Sequence, residues 1–147
     1  MSTFNTNPKM VEWLNADEMH DASKKWLSEL EFVADEQLFF DDLIKSYTLQ
    51  LIDSKYFNKS QSIIEALKKI KKRNNLLIEA IKTHESELKI MVDGVDDLPN
   101  EERYKKEHRN LIIVVSDFLK DYKVFKTEFF ALIKKVIKEA KQKRLLE

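Results

Sequence analysis

Two histidines are the residues in this 147-residue chain whose spacing best suits metal binding. His84 and His108 both fall at apolar positions of long amphipathic stretches, and a loop around residue 96 separates these stretches. A reversal of the chain at that loop makes His84 face His108, with Glu107 beside the same level. The sequence thus predicts two imidazoles and a carboxylate inside one helical layer.

A carboxylate from a third stretch completes the predicted ligand set. Reversal of the chain near residue 57 brings Glu29 to the level of the histidines, and Glu87 flanks the same level. Zinc, iron and manganese accept imidazole together with carboxylate, and bundle cores hold such sites. The predicted site could hold one divalent transition metal on four residues, His84, His108, Glu29 and Glu107.

A polar layer without a metal explains the same pattern. In that interpretation His84 and His108 hydrogen-bond each other and Glu29, and the layer fixes helix register as buried asparagine does in coiled coils. The chain also lacks the Glu-x-x-His motif of di-iron bundles, because Ile81 and Lys105 stand three residues before the two histidines. Both interpretations stay open at this level.

The composition gives little support to catalysis. A single glycine excludes a glycine-rich phosphate loop, and the lack of cysteine excludes disulfides, thiolate metal sites and cysteine nucleophiles. The acidic loop Asp93–Pro99 does not have the spacing of a calcium-binding EF-hand. A non-enzymatic role is therefore favoured.

Long helices must position all of these residues. The chain is 43% hydrophobic and 35% charged, with one glycine and two prolines, which is typical of long helices. Apolar residues recur at alternating steps of three and four, a helical period. This pattern predicts helix A over about 16–56, helix B over about 60–92 and helix C over about 100–145.

These helices predict an all-α fold with one domain over residues 1–147. Both connections are short, so we expect an antiparallel up-down-up bundle of three coiled-coil-like helices. Segment 1–15 adds a short N-terminal helix, and Asn15 is the predicted N-cap of helix A. Asn74, at an apolar position of helix B, is predicted to hydrogen-bond Asp41. The core positions form one seam per helix, namely Trp26, Leu30, Val33, Gln37, Phe40, Ile44, Tyr47 and Leu51 on helix A, Ile63, Leu67, Ile70, Asn74, Leu77, Ile81, His84, Leu88 and Met91 on helix B, and Tyr104, His108, Leu111, Val115, Phe118, Tyr122, Phe125, Phe129, Leu132 and Val136 on helix C.

Several large apolar residues lie beside these seams and favour self-association. Repeated aromatic residues off the core stripe indicate a surface that is buried against something else, most simply a second copy of the chain. A helix of a different partner is the other candidate occupant. The predicted self-association residues are Phe32, Phe39, Phe130 and Ile137.

Charge is distributed unevenly although the net charge is zero. Residues 1–54 hold 4 lysines against 11 acidic residues, and the remainder carries the compensating excess of basic residues. We expect helix C to project beyond the bundle from about Val136 and, with helix B, to make one pole basic. Such a pole could bind nucleic acid or anionic lipid, but a solvated charged face is the commoner explanation. The residues concerned are Lys68, Lys72, Arg73, Lys134, Lys135, Lys138, Lys141 and Arg144.

Taken together, these patterns predict a non-enzymatic interaction or scaffold protein that self-associates. The alternatives are a metal-binding bundle and a polyanion-binding protein. No signal-peptide pattern or apolar run of membrane-spanning length is visible in the sequence, so a cytoplasmic location is expected.

Overall fold

The computed structural model describes residues 15–93 and 98–146, and these residues form helices joined by short connections. Three long helices pack against one another, which confirms the predicted all-α fold. In this described part of the chain, no helix is both long and apolar enough to cross a membrane. The predicted helix within residues 1–15 lies outside the described residues apart from Asn15. The helices found are α1 (Ala16–Ser46), α2 (Thr48–Leu51), α3 (Phe57–Asp93) and α4 (Leu98–Leu146).

The start of α1 is set by the N-cap that the sequence predicted. Asn15 has an extended backbone, and its side-chain oxygen accepts a hydrogen bond from the Glu18 backbone N–H at 2.8 Å. This bond satisfies one of the N–H groups that the first helical turn leaves without a partner. Asp17 and Glu18 also place negative charge where the helix dipole favours it.

The predicted helix A is interrupted, because α1 ends at Ser46 rather than continuing to residue 56. The backbone of Tyr47 leaves the helical region at φ −118° and ψ 25°. Thr48 then donates its hydroxyl to the carbonyl of Ile44 at 2.8 Å, satisfying a group near the helix end. One helical turn follows as α2, and residues 52–56 turn the chain. The segment predicted as helix A over about residues 16–56 is therefore divided into α1, α2 and a turn.

Helix α3 begins three residues earlier than predicted. The backbone N–H of Ser60 donates to the carbonyl of Tyr56 at 2.8 Å, so the first helical turn already includes Phe57. The start of α4 agrees better with the sequence, since it begins at Leu98 with Pro99 in its first turn. The chain therefore reverses before residue 57, earlier than the sequence suggested.

This earlier reversal changes which residues of α1 lie beside α3, but it does not change which residues of α4 lie beside α3. Contacts between α3 and α4 follow an antiparallel order, with His84 bonded to His108 as predicted and Arg73 to Asp121. Against α1, however, Asn74 donates its side-chain amide to the carbonyl of Leu30 at 3.0 Å. The predicted bond from Asn74 to Asp41 was wrong, since Asp41 instead accepts two bonds from Lys71.

The core follows the three predicted seams. Nearly all of the predicted positions are buried, and Phe40 lies at the centre of an aromatic group, 4.7 Å from Phe129 and 5.9 Å from Phe125 between ring centroids. Such rings contribute large buried apolar areas to the stability of the fold. The predicted core residues that are only partly buried are Ile44, Tyr47, Leu111 and Met91.

The end of α4 packs against the chain reversal instead of projecting from Val136. Val136 is fully buried, and the Glu139 carboxylate accepts hydrogen bonds from the Tyr56 hydroxyl at 2.6 Å and the Lys55 ammonium at 2.7 Å. These partners lower the pKa of Glu139 below its usual value. The expected projection from about residue 136 was wrong, because residues 52–56 fold back onto α4.

Candidate functional site

A pair of buried histidines joins α3 to α4. His84 Nε2 lies 2.9 Å from His108 Nδ1, so the two rings share one hydrogen. The residues are only 3% and 0% exposed. The Tyr104 ring stacks on His84 with 4.0 Å between centroids, and Trp26 of α1 contacts His108 at 5.0 Å. Aromatic rings from α1 and α4 thus enclose the layer.

Both histidines are held in the neutral form. Burial, together with the charge of His108, lowers the pKa of His84 to about 3, and burial lowers the pKa of His108 to about 4. His84 Nδ1 and His108 Nε2 have no hydrogen-bond partner among the described residues. A neutral imidazole with an unshared nitrogen is the form that binds metal ions. Burial also raises the pKa of the Tyr104 hydroxyl, aided by nearby carboxylates.

Two carboxylates lie beside the outer nitrogen of His84. Glu107 Oε2 is 3.9 Å from His84 Nδ1, and His84, Glu87 and Glu107 each offer one ligand atom within 4.8 Å of the others. Burial raises the pKa of Glu107, with the hydrogen bond to Glu87 and the charge of Glu87 as further causes, while Arg103 opposes them. Two carboxylates this close repel each other when both are charged, so the position between them favours a cation.

Only part of the predicted ligand set meets at this point. His84 and Glu107 come together, and His108 lies behind His84 with its Nδ1 atom engaged by the His84 ring. Glu29 instead lies between α1 and α4, because the earlier chain reversal puts Trp26 at the level of His108. The placement of Glu29 was therefore wrong.

Glu87, predicted at the flank of the same level, is the third member of the cluster. It follows His84 by three residues, so both side chains lie on the same face of α3, one turn apart. A search for Glu-x-x-His misses this pair because the order of the two residues is reversed. The signal in the sequence was His-x-x-Glu on a helix that faces another glutamate.

A second feature is an open depression between α1 and α4, which we call the α1–α4 groove. Two adjoining parts with volumes of about 390 and 630 Å³ share Glu29, Leu119 and Lys123 in their walls. Trp26 and Val115 form much of its apolar floor at one end. Its α4 edge carries three lysines, Lys120, Lys123 and Lys126, and its α1 edge carries Lys25 and two glutamates, Glu29 and Glu36.

One exposed aromatic ring lines this groove, and two more lie on the helix faces that continue it. Phe39 follows Phe32, and Phe130 follows Lys123, by seven residues or about two helical turns. Phe32 lines the wall of the groove and is 59% exposed. Phe39 and Phe130 are 54% and 41% exposed and flank the buried Phe40, at 6.2 Å and 5.5 Å between ring centroids. Ile137 differs from these three predicted self-association residues, since it is partly buried and packs against the core.

The groove is braced by contacts within the chain. Glu36 accepts a hydrogen bond from the Tyr122 hydroxyl at 2.8 Å and another from the Lys126 ammonium at 3.2 Å. Burial raises the pKa of Tyr122, and its bond to Glu36 raises it further. This network holds α1 and α4 together beneath the exposed rings.

Two of the predicted basic residues of α3 pair with acidic residues of the same chain. Arg73 pairs with Asp121 at 2.9 Å, and Lys68 with Glu65 at 3.3 Å. Because Arg73 lies level with residue 121, it is about 30 Å along α4 from Lys141. Binding of a polyanion by Lys68, Lys72 and Arg73 stays a prediction. Polyanion binding stays a prediction for the exposed residues of α4, namely Lys134, Lys135, Lys138, Lys141 and Arg144.

No protein-family model, curated protein or solved structure matches this chain significantly. Any assignment of function therefore rests on the residues of the chain itself.

Proposed function

We propose that the chain is a non-enzymatic interaction module that forms a homodimer through its α1–α4 groove. The observation that carries this proposal is the row of exposed phenylalanines, Phe32, Phe39 and Phe130, beside an open apolar depression. A surface on which several aromatic rings contact water is unfavourable by itself, and patches of this kind mark interaction sites. Dimerisation would remove these rings from water.

The charges along the groove favour a second copy as its occupant. α1 and α4 run in the same direction, since Trp26 contacts His108 and Phe40 contacts Phe129. A two-fold axis parallel to the helices places α1 of one copy against α4 of the other. Glu29 of the α1 edge then faces lysines of the α4 edge, while Glu36 stays bonded to Lys126 of its own chain. An axis perpendicular to the helices would instead bring the three lysines of one α4 edge against those of the other.

The molar mass in solution tests this proposal directly. We expect light scattering to give twice the 17.5 kDa mass of one chain. Replacing two of the three exposed rings, in the Phe39→Ser/Phe130→Ser variant, should weaken the dimer at least tenfold while circular dichroism shows an unchanged helix content. A wild-type chain that stays monomeric at all accessible concentrations would contradict the proposal.

The same helices offer a matched control. Leu38 on α1 and Val124 on α4 are 65% and 59% exposed, but they follow a different helix face, about 100° around from Phe39 and from the groove residue Lys123. The Leu38→Ser/Val124→Ser variant therefore removes a similar exposed apolar area from the same two helices. It should dimerise as strongly as the wild type, and a similar weakening in this control would show that the groove is not the interface.

A further inference from the structure

The carboxylates near His84 form a cluster on the opposite side of α4 from the exposed rings. His84 and Glu87 come from successive turns of α3, and Glu107 comes from the facing turn of α4. Their ligand atoms lie within 4.8 Å of one another, and the His84–Glu107 pair is 3.9 Å apart. Ligand atoms around a tetrahedral zinc ion are about 3.4 Å apart. Small side-chain rotations of the two glutamates would bring the three atoms to that spacing.

His84 adds an observation that acidic residues alone would not provide. His84 is only 3% exposed, and its Nδ1 atom has no hydrogen-bond partner among the described residues. A buried polar nitrogen without a partner costs free energy, so its persistence favours a ligand at this atom. The carboxylates of Glu87 and Glu107 each have an oxygen within 4.8 Å of a ring nitrogen of His84.

His108 fixes the form of His84 that a metal ion needs. When His84 Nε2 carries the shared hydrogen and donates it to His108 Nδ1, the Nδ1 atom of His84 presents a lone pair to the carboxylates. Metal-bound histidines generally donate their other ring N–H in this way, which orients the ring and increases its basicity. His108 is thus a positioning residue and not a ligand.

The cluster is accessible from solvent. It borders a shallow depression between α3 and α4, with a volume of about 560 Å³, whose walls include Leu76, Ala80 and Thr83. Glu87 and Glu107 are half-buried, so an ion can enter without opening the core. Three protein ligands leave at least one coordination position for water.

We propose that His84 Nδ1, Glu87 and Glu107 bind one divalent first-row transition ion of the zinc class, with His108 holding the His84 ring. The two carboxylates neutralise the charge of the ion, and the imidazole selects against magnesium and calcium, which prefer oxygen ligands alone. This site does not depend on the proposed dimer, because it lies between α3 and α4 and shares no residue with the α1–α4 groove.

Titration of Zn²⁺ into untagged protein, in an excess of Mg²⁺, tests the site by calorimetry. We expect one zinc ion per chain, and at least tenfold weaker binding in both Glu87→Gln and Glu107→Gln. Glu79 lines the same depression outside the cluster, so Glu79→Gln is the matched control and should bind as the wild type does. The proposal would be overturned if the wild type bound no zinc or if Mg²⁺ displaced the zinc. It would also be overturned if the two cluster variants bound zinc with the affinity of the wild type.

The ring nitrogens of His84 give a second readout that does not rely on substitution. On addition of zinc, the ¹⁵N resonance of His84 Nδ1 should move to the range of a metal-bound nitrogen, while Nε2 stays protonated. Binding through His20, an exposed histidine that pairs with Glu85, would instead shift the resonances of that ring. That outcome would show zinc at a surface site and would overturn the assignment.

Discussion

At the scale of single residues, the histidine layer is a place where burial and polarity conflict. His84 and His108 are almost completely enclosed and neutral, and within the described residues each keeps one nitrogen without a partner. Apolar residues at these two positions would avoid that cost. The layer therefore stabilises the bundle less than its packing suggests, and its shared hydrogen instead specifies which levels of α3 and α4 meet.

The lowered pKa values of the two histidines predict a loss of stability in mild acid. Below about pH 6.5 the unfolded chain takes up protons on these rings, whereas the folded chain does so only near pH 4 and pH 3. Because the unfolded state then binds more protons, the free energy of unfolding falls as the pH drops through this window. Each buried ring should contribute a loss of about 2 kcal/mol between pH 7 and pH 5.

Urea unfolding at pH 7 and pH 5 measures this effect. Glu107 has the opposite effect on stability, because its raised pKa lets the folded state bind a proton more readily than the unfolded state as the pH falls. The net decrease in the free energy of unfolding is therefore smaller than the sum of the two histidine contributions. Equal urea midpoints at the two pH values would contradict the neutral histidine layer.

At the scale of helices, the last turns of α4 depend on the chain reversal that precedes α3. Glu139 receives hydrogen bonds from Tyr56 and Lys55, while Val136 is buried one turn earlier. The Glu139→Ala variant should therefore increase the amide hydrogen exchange of residues 136–146, because it releases this end of α4 from residues 52–56. Glu128→Ala, which removes an exposed acid in the middle of α4, should leave these amides unchanged. Identical exchange in Glu139→Ala and the wild type would show that Glu139 does not hold this end of α4.

The seams of the helices could be predicted from the sequence, whereas the ends of one helix could not. Apolar residues at steps of three and four specify which face is buried, and Phe40 and Phe118 are fully buried as that pattern requires. The end of α1 carries no proline or glycine, and it depends on the backbone of Tyr47 and the hydroxyl of Thr48. Contacts of that kind have no reliable signature in the sequence.

The accuracy of the predicted site followed from the accuracy of the turns. The sequence around the reversal between α3 and α4 holds Gly94 and, in the first turn of α4, Pro99. The position of this reversal was therefore clear, and His84 was correctly placed opposite His108. The connection after α1 has no such residues, and an error of a few positions there moved Glu29 away from the histidines. A ligand set that draws on three helices requires every turn to be located correctly.

At the scale of the whole molecule, the two proposed functions use opposite sides of α4. His84, Glu87 and Glu107 lie between α3 and α4, whereas Phe39 of α1 and Phe130 of α4 lie on either side of Phe40, where α1 packs against α4. Because the helices are long and parallel or antiparallel, a ligand on one side need not disturb the other. We therefore expect substitutions at the proposed metal site to leave the proposed self-association unchanged, and the reverse.

The geometry of the proposed dimer predicts which helices can be cross-linked between copies. The chain has no cysteine, so single substitutions introduce one unique thiol each. Ser28 on α1 and Ser116 on α4 both line the groove, and both are exposed. With the two-fold axis parallel to the helices, a mixture of Ser28→Cys and ¹⁵N-labelled Ser116→Cys chains should give mainly mixed cross-links with a short bismaleimide, identified by mass. A perpendicular axis brings α1 against α1 and α4 against α4, so cross-links only between identical chains would contradict the pairing of acidic and basic edges.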